Sequence, residues 1–449
     1  RIWLFKDHLP LLPNGKVNRQ ALRAHAETEA AGPAASDIEG EGLSTAEIAL
    51  IESWTGVFAR PGINLATTFI SLGGDSLSYV SAYLATEEVL GAVPDGWTEM
   101  TIAELAAARV ERNRFWSKVD STMLIRAVSI SFIVAYHFAL SSIGNGFTGA
   151  FFVISGYLFG GIQLQEVFKG KSSAPILNSM KNIFIPTMVF TLIESAGVML
   201  HGKAPPLNQL IMTADLVDYL KIEAQHIPLV GHEVSLWYVH ALLKILLILY
   251  VATSLLPKAF KLMDRRFEFS LAMFGLGCIG RFLIPALIQP DILSHSVPEL
   301  STFQLAFTSN LATFMLGAVI ANAPKGGTKG WLLALVAGYA LLSGNFYGLT
   351  NGLTIAAAGF IMLTATRVTL PRPLAGLVIT LSGASLYIYL SQFIFGLGVR
   401  ALHGSNWPLM QTIAAMVGGV AVYMLWTSSV KLFGKVVTGR LAVPWLTRS

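Results

Sequence analysis

Cysteine is nearly absent: the chain of 449 residues holds one, Cys278, inside an apolar run. That excludes a disulfide framework and any cysteine-based metal site. Charge is scarce as well, with Asp, Glu, Lys and Arg together at 13%, about half the share usual in soluble proteins. Hydrophobic residues make up 53% and mean hydropathy is +0.60, which indicates a membrane protein. The spacing of His201, His226, His232 and His240 suits no metal, and no nucleic-acid partner is expected. No signal peptide opens the chain, and it begins with Arg rather than Met. It is therefore expected to be a piece of something longer, holding about three domains.

The net charge of +5 hides an asymmetry. Residues 36–112 carry a net −9 and residues 113–449 a net +12. Two readings stand side by side: an acidic module docks electrostatically on a basic one, or basic loops merely set membrane topology.

Residues 1–30 contain Leu9-Pro-Leu-Leu-Pro-Asn-Gly-Lys-Val-Asn-Arg-Gln-Ala-Leu22. Asn14-Gly15 marks a tight turn that presents Lys16 on a loop. From the residues alone, Lys16 is a solvated loop lysine. The stretch closely resembles the last core motif of adenylation domains in non-ribosomal peptide synthetases. In that family the lysine matched by Lys16 grips the carboxylate substrate and the nucleotide phosphates. Only the tail of such a domain is present, so this chain is not expected to adenylate. The resemblance implies an adenylation domain upstream or in trans.

Residues 31–43 read as a Gly/Pro-punctuated linker, and 44–112 as a small helical domain. Ser44-Thr-Ala-Glu47 is a capping box opening a helix with Ile48, Ile51, Trp54, Val57 and Phe58 on one face. Thr101-Ile-Ala-Glu104 caps another. Between them lies Phe69-Ile-Ser-Leu-Gly-Gly-Asp-Ser-Leu77, where the glycines permit a sharp turn and Ser76 starts a helix over 77–90. A helix N-terminus favours a bound phosphate; the plain alternative makes Ser76 an ordinary N-cap. In spacing, acidity and length the stretch resembles a peptidyl or acyl carrier protein of four helices. That resemblance implies 4′-phosphopantetheine on Ser76, flanked by Asp75 and Leu77, and a phosphopantetheinyl transferase as partner.

From Thr122 onward ten apolar runs are long enough to span a bilayer: roughly 122–143, 146–165, 183–201, 234–255, 269–288, 302–322, 330–345, 349–366, 374–400 and 408–431. The fold class is thus all-α, a carrier followed by a ten-helix membrane domain over 113–435 and a cytoplasmic tail over 436–449. Lys169, Lys171, Lys181, Lys258, Lys261, Arg265, Arg266, Lys325, Lys329, Arg367 and Arg372 all fall in the even-numbered connections. The positive-inside rule then places the carrier and both termini in the cytoplasm.

Arg126 and His137 are eleven residues apart in Leu124-Ile-Arg-Ala-Val-Ser-Ile-Ser-Phe-Ile-Val-Ala-Tyr-His-Phe138. On a helix that puts them within about 20° of one face and roughly 16 Å apart. Ionisable groups at such depth usually line a cavity. The alternative is that Arg126 snorkels to headgroups and His137 bonds a neighbouring helix.

This spacing, followed by Gly149-Ala-Phe-Phe-Val-Ile-Ser-Gly-Tyr-Leu158, resembles the membrane acyltransferase-3 family, ten-helix enzymes of bacterial membranes. Ser235-Leu-Trp-Tyr-Val239, Phe314-Met-Leu-Gly317 and Ser385-Leu-Tyr-Ile-Tyr-Leu390 support it. Two positions depart from the family: only Lys181 stands where an Arg-rich cluster is common, and Gln392 where many members have His. The resemblance implies His137 as the base toward an acceptor hydroxyl or amine and Arg126 as the group that holds the donor arm. Trp237, Tyr238, His232 and Glu233 become candidate substrate contacts. A glycan, lipid or small molecule is the expected acceptor in a bacterial inner membrane. A structural ion pair is expected between Glu194 and Lys244, while Arg281 and His240 either face the cavity or pair. Ser155 and Gly156 are expected to allow close helix packing. The rival from another class is an export module coupled to a peptide synthetase, which moves a product without making a bond.

Overall fold

In the computed structural model the described residues are 43–58, 62–108, 114–170, 172–200, 237–283, 306–324, 328–403 and 407–437. Expectations for Lys16, His201, His226, His232 and Glu233 lie outside them, as do the side chains of Leu77, Glu194, Trp237 and His240.

The first unit has three helices among its described residues: α1 (Thr45–Phe58), α2 (Ser76–Leu90) and α3 (Ile102–Ala107). Both capping boxes form. Glu47 N–H donates to Ser44 Oγ while Ser44 N–H donates to Glu47 Oε2, and Thr101 with Glu104 repeats the pattern at α3. Four helices were expected. Between α2 and α3, residues 95–99 are turns instead, as the Pro94-Asp95-Gly96 chemistry favours. Trp54 is buried and Ile51, Val57 and Phe58 pack against the core as expected, while Leu50 is buried in place of Ile48, which is 41% exposed. The core is aromatic: Trp54, Phe69 and Trp97 meet with ring centroids 5.0–6.4 Å apart.

Each of the ten apolar runs contains a helix. They are α4 (Ser121–His137), α5 (Phe147–Leu158), α6 (Ala174–Leu200), α7 (Trp237–Leu255), α8 (Arg266–Cys278), α9 (Ala306–Asn322), α10 (Lys329–Tyr347), α11 (Leu349–Thr364), α12 (Arg372–His403) and α13 (Pro408–Val437). A π turn, Phe159–Gln163, carries α5 onward into Leu164–Phe168. Among the described residues five segments are long and apolar enough to cross a membrane: 147–168, 174–193, 329–347, 372–403 and 408–429. Four more, including Ser121–His137, are shorter apolar helices. The helix expected over 183–201 begins earlier, at Ala174, which brings Lys181 and Asn182 inside it.

The all-α expectation is corrected by one ribbon. Strand β1 (Trp116–Asp120) pairs antiparallel with β2 (Arg367–Pro371), Trp116 opposite Pro371 and Asp120 opposite Arg367. Each strand abuts a helix at its C-terminal end, and pairing satisfies backbone groups that neither helix serves. Asp120 then stops the strand and caps α4, its Oδ1 accepting the Thr122 N–H at 2.9 Å.

Helices α5 and α9 cross at glycines. A Cβ on Gly156 would strike the Phe314 carbonyl, and one on Gly317 would strike the Val153 carbonyl. This is the close approach that small residues permit between membrane helices. Gly156→Ala is therefore expected to cost roughly 1–3 kcal/mol through forced backbone shifts. Gly338→Ala on α10, where a Cβ meets nothing within 4 Å, is expected to be neutral or slightly stabilising. Thermal unfolding of both variants in detergent checks the contrast.

Candidate functional site

The Ser76 turn is built by its neighbours. Gly73 takes φ +72°, a conformation that L side chains rarely adopt. Gly74 lies flat against the Phe69 ring, where a Cβ would collide. Asp75 does the capping of α2: its Oδ1 accepts the Ser78 N–H at 2.7 Å, and its own N–H donates to Ser78 Oγ at 2.8 Å. Ser76 is the first residue inside the helix, so the reading of Ser76 as N-cap is set aside. The other Asp75 oxygen accepts Asn182 Nδ2 of α6 at 2.7 Å. Arg126 of α4 donates from Nη1 to the Ser76 carbonyl, also at 2.7 Å.

Arg126 is only 4% exposed. From it runs a stripe at steps of four, three and four residues: Arg126, Ile130, Ile133 and His137. That is one face of α4. Its first three members line a cavity together with Ser76, Thr148, Phe151 and Ser155, and with Tyr238 of α7 and Ser385 and Tyr389 of α12. Its empty space, counted with the solvent at its open mouth, is about 580 Å³. Its walls are largely apolar. The hydroxyls of Ser155 and Tyr238 share a hydrogen bond of 3.0 Å, and the Tyr389 hydroxyl accepts the Tyr238 N–H at 3.3 Å.

His137 is one turn beyond Ile133, as the last residue of α4. Its Nδ1 is 2.9 Å from Gln392 Oε1. Gln392 is fully buried, and its Nε2 donates to the Tyr389 carbonyl at 3.1 Å. A carbonyl only accepts, so the amide nitrogen must face Tyr389 and the amide oxygen must face His137. Nδ1 is then the donor, and Nε2 carries the free lone pair. One glutamine thus fixes the tautomer that a general base needs.

The other expected residues fall as follows. Ser76, Arg126 and Tyr238 come together in the cavity wall. Asp75 is turned toward Ser78 and Asn182. Ser155, expected only to ease helix packing, also hydrogen-bonds Tyr238 within the wall, while Gly156 does the close packing. Arg281 pairs rather than facing the cavity: its guanidinium stacks 3.9 Å from the Tyr347 ring and bonds Asn351. The partner expected for Lys244, Glu194, lies outside the described side chains. Three residues escaped sequence reasoning as site or docking groups: Asn182, Arg367 and, in its tautomer-fixing role, Gln392. A polar amide close behind the apolar turn of α12, at Gln392, was the available signal; Asn182 and Arg367 look like ordinary edge residues.

Residues 120–427 match a family described as an acyltransferase domain. In Pseudomonas aeruginosa, the AMB antimetabolite synthetase AmbE is 34% identical over 102 residues, which is 22% of this chain and 5% of that protein. Pyochelin synthetase PchE of the same species is 36% identical over 110 residues, 24% of this chain and 8% of that protein. The chain spans less than a tenth of the length of these curated relatives. No solved structure matches it. The family match covers well over half of the residues, so the chain belongs to the acyltransferase-3 family of membrane acyltransferases.

Proposed function

We propose that this acyltransferase takes its acyl or aminoacyl group from a thioester on its own carrier domain, residues 44–112, with 4′-phosphopantetheine on Ser76. The observation that carries the reading is the hydrogen bond of 2.7 Å from Arg126 to the Ser76 carbonyl. It sets the attachment serine at the Arg126 end of the stripe that leads to His137. The similarity to an antimetabolite synthetase and a pyochelin synthetase supports the carrier assignment. A phosphopantetheinyl transferase would add the arm, and an adenylation domain upstream or in trans would supply the acid.

The residues fit the group. Arg126 has four N–H donors beyond the one given to Ser76, and Ser76 opens a helix whose N-terminus favours a phosphodiester. From Ser76 Oγ to its sulfur the arm counts about fourteen bonds, roughly 16 Å extended, which equals the rise from Arg126 to His137 along α4. When bound, the arm supplies an activated thioester carbonyl. His137 Nε2 would take the proton of the acceptor hydroxyl or amine as that group attacks, and would return it to the sulfur as the carbon–sulfur bond breaks, which leaves the acyl group on the acceptor and a free thiol on the carrier. Gln392 keeps the ring in the correct tautomer. Tyr238 and Ser155 offer hydroxyls to orient the acyl carbonyl, and the apolar walls exclude water. The acceptor is a glycan, lipid or small molecule. The distribution of Lys and Arg supports ten spans in a bacterial inner membrane, with the carrier and both termini cytoplasmic.

Because Asp75 and Ser78 do the capping, Ser76→Ala is expected to keep the fold while abolishing both arm attachment and transfer. Intact mass and a transfer assay check it; full activity of this variant with a free coenzyme A thioester would end the requirement for a carrier in cis. His137→Ala is expected to lower kcat by about 10²–10⁴-fold. Gln392→Ala is expected to lose roughly tenfold, and the double variant no more than His137→Ala alone, since the glutamine acts through the histidine. Additive losses in kcat would show that Gln392 does something else.

A further inference from the structure

The carrier sits on the paired strands. From α2, the Tyr79 hydroxyl donates to Asp120 Oδ2 at 2.9 Å and the Tyr83 hydroxyl to the Lys118 carbonyl at 2.8 Å, both on β1. Burial and then the Asp120 carboxylate push the Tyr79 phenol well above its usual range, so it remains a donor at any working pH. From β2, Arg367 donates to the Val93 and Pro94 carbonyls at 2.8 and 2.7 Å and pairs with Asp95 at 2.8 Å. One guanidinium therefore grips three acceptors of the turn that follows α2, with its own side chain 14% exposed.

In this pose Ser76 lines the membrane cavity and Asp75 is buried. Loading requires the opposite. The Ser76 hydroxyl must enter another enzyme, lose its proton and bond to the pantetheine phosphorus of coenzyme A, while the pyrophosphate link breaks and 3′,5′-ADP leaves. The docked pose delivers but cannot be loaded. Two features make release feasible. The polar grip of the ribbon is hydrogen bonds and an ion pair, the kind of contact found in separable domain interfaces; apolar packing of Val80 and Val119 adds to it. The ring contacts among Trp54, Phe69 and Trp97 are all made inside the carrier, so they go with it when it leaves.

We propose that the β1–β2 ribbon is a reversible dock, with the Arg367 fork setting how long the carrier stays seated. The proposal rests on the cis-carrier reading above. Its test uses the apo full-length protein in detergent, a phosphopantetheinyl transferase and a fluorescent coenzyme A. Labelling of Ser76 is timed and confirmed by peptide mass; delivery is then timed in a single turnover. Arg367→Ala, and Tyr83→Phe, which removes one hydroxyl and leaves the core ring, are compared with wild type. Labelling is expected to speed up, roughly tenfold for Arg367→Ala, as charge-assisted hydrogen bonds are lost, while delivery slows by a similar factor. A damaged fold would slow both. Unchanged or slower labelling in both variants overturns the dock and leaves the carrier reading in place. No label on Ser76 even in wild type overturns the carrier reading itself.

Discussion

A guanidinium almost fully removed from water has to be satisfied by whatever faces it. At 4% exposure Arg126 is such a group, and the partner it finds is the backbone carbonyl of Ser76. That contact joins residues fifty apart in sequence and two units of opposite composition. In the seated pose, losing it would leave a buried charge short of a partner, which costs far more than an exposed pair would. The neighbouring bonds follow from it. Asp75 can reach Asn182 on α6 and Tyr79 can reach Asp120 only when α2 points its N-terminus at Arg126. Asp120 in turn ends β1 and starts α4, the helix that carries Arg126.

The same helix carries Arg126 near its start and His137 at its end. Eleven residues return to one face, so the cation and the imidazole stand on one side of α4 with Ile130 and Ile133 between them. At the far end a neutral amide sets the imidazole. The Tyr389 carbonyl orients Gln392, and Gln392 orients His137. A second imidazole there would leave the proton free to sit on either ring; the amide, pinned by a carbonyl, leaves one choice.

Much of this was legible in the chain because its signals are local or periodic. Each apolar run marked a helix, the Ser44–Glu47 and Thr101–Glu104 boxes marked two helix starts, and the spacing of Arg126 and His137 marked the stripe. The ribbon was not legible. Trp116–Asp120 and Arg367–Pro371 are short, and neither strand is stable without a partner some 250 residues away. Arg367 therefore looked like a topology-setting loop cation, and its grip on residues 93–95 left no trace in its neighbourhood. The turn at Asp75 was visible, yet which residue capped the helix was not, since Asp75 and Ser76 are both good caps. Only the hydrogen bonds to Ser78 assign the task and leave Ser76 for another.

The central claim is that the transferred group comes from Ser76 rather than from solution. An isotope-partition experiment addresses it most directly. Ser76 is loaded through a phosphopantetheinyl transferase with a heavy-isotope acyl pantetheine, the protein is placed in acceptor-containing membranes, and an excess of light acyl coenzyme A is added at time zero. The account predicts that the first turnover yields heavy product while the Ser76 peptide loses its heavy acyl mass in step. Light product in that first turnover, with the heavy group still on Ser76, would contradict it.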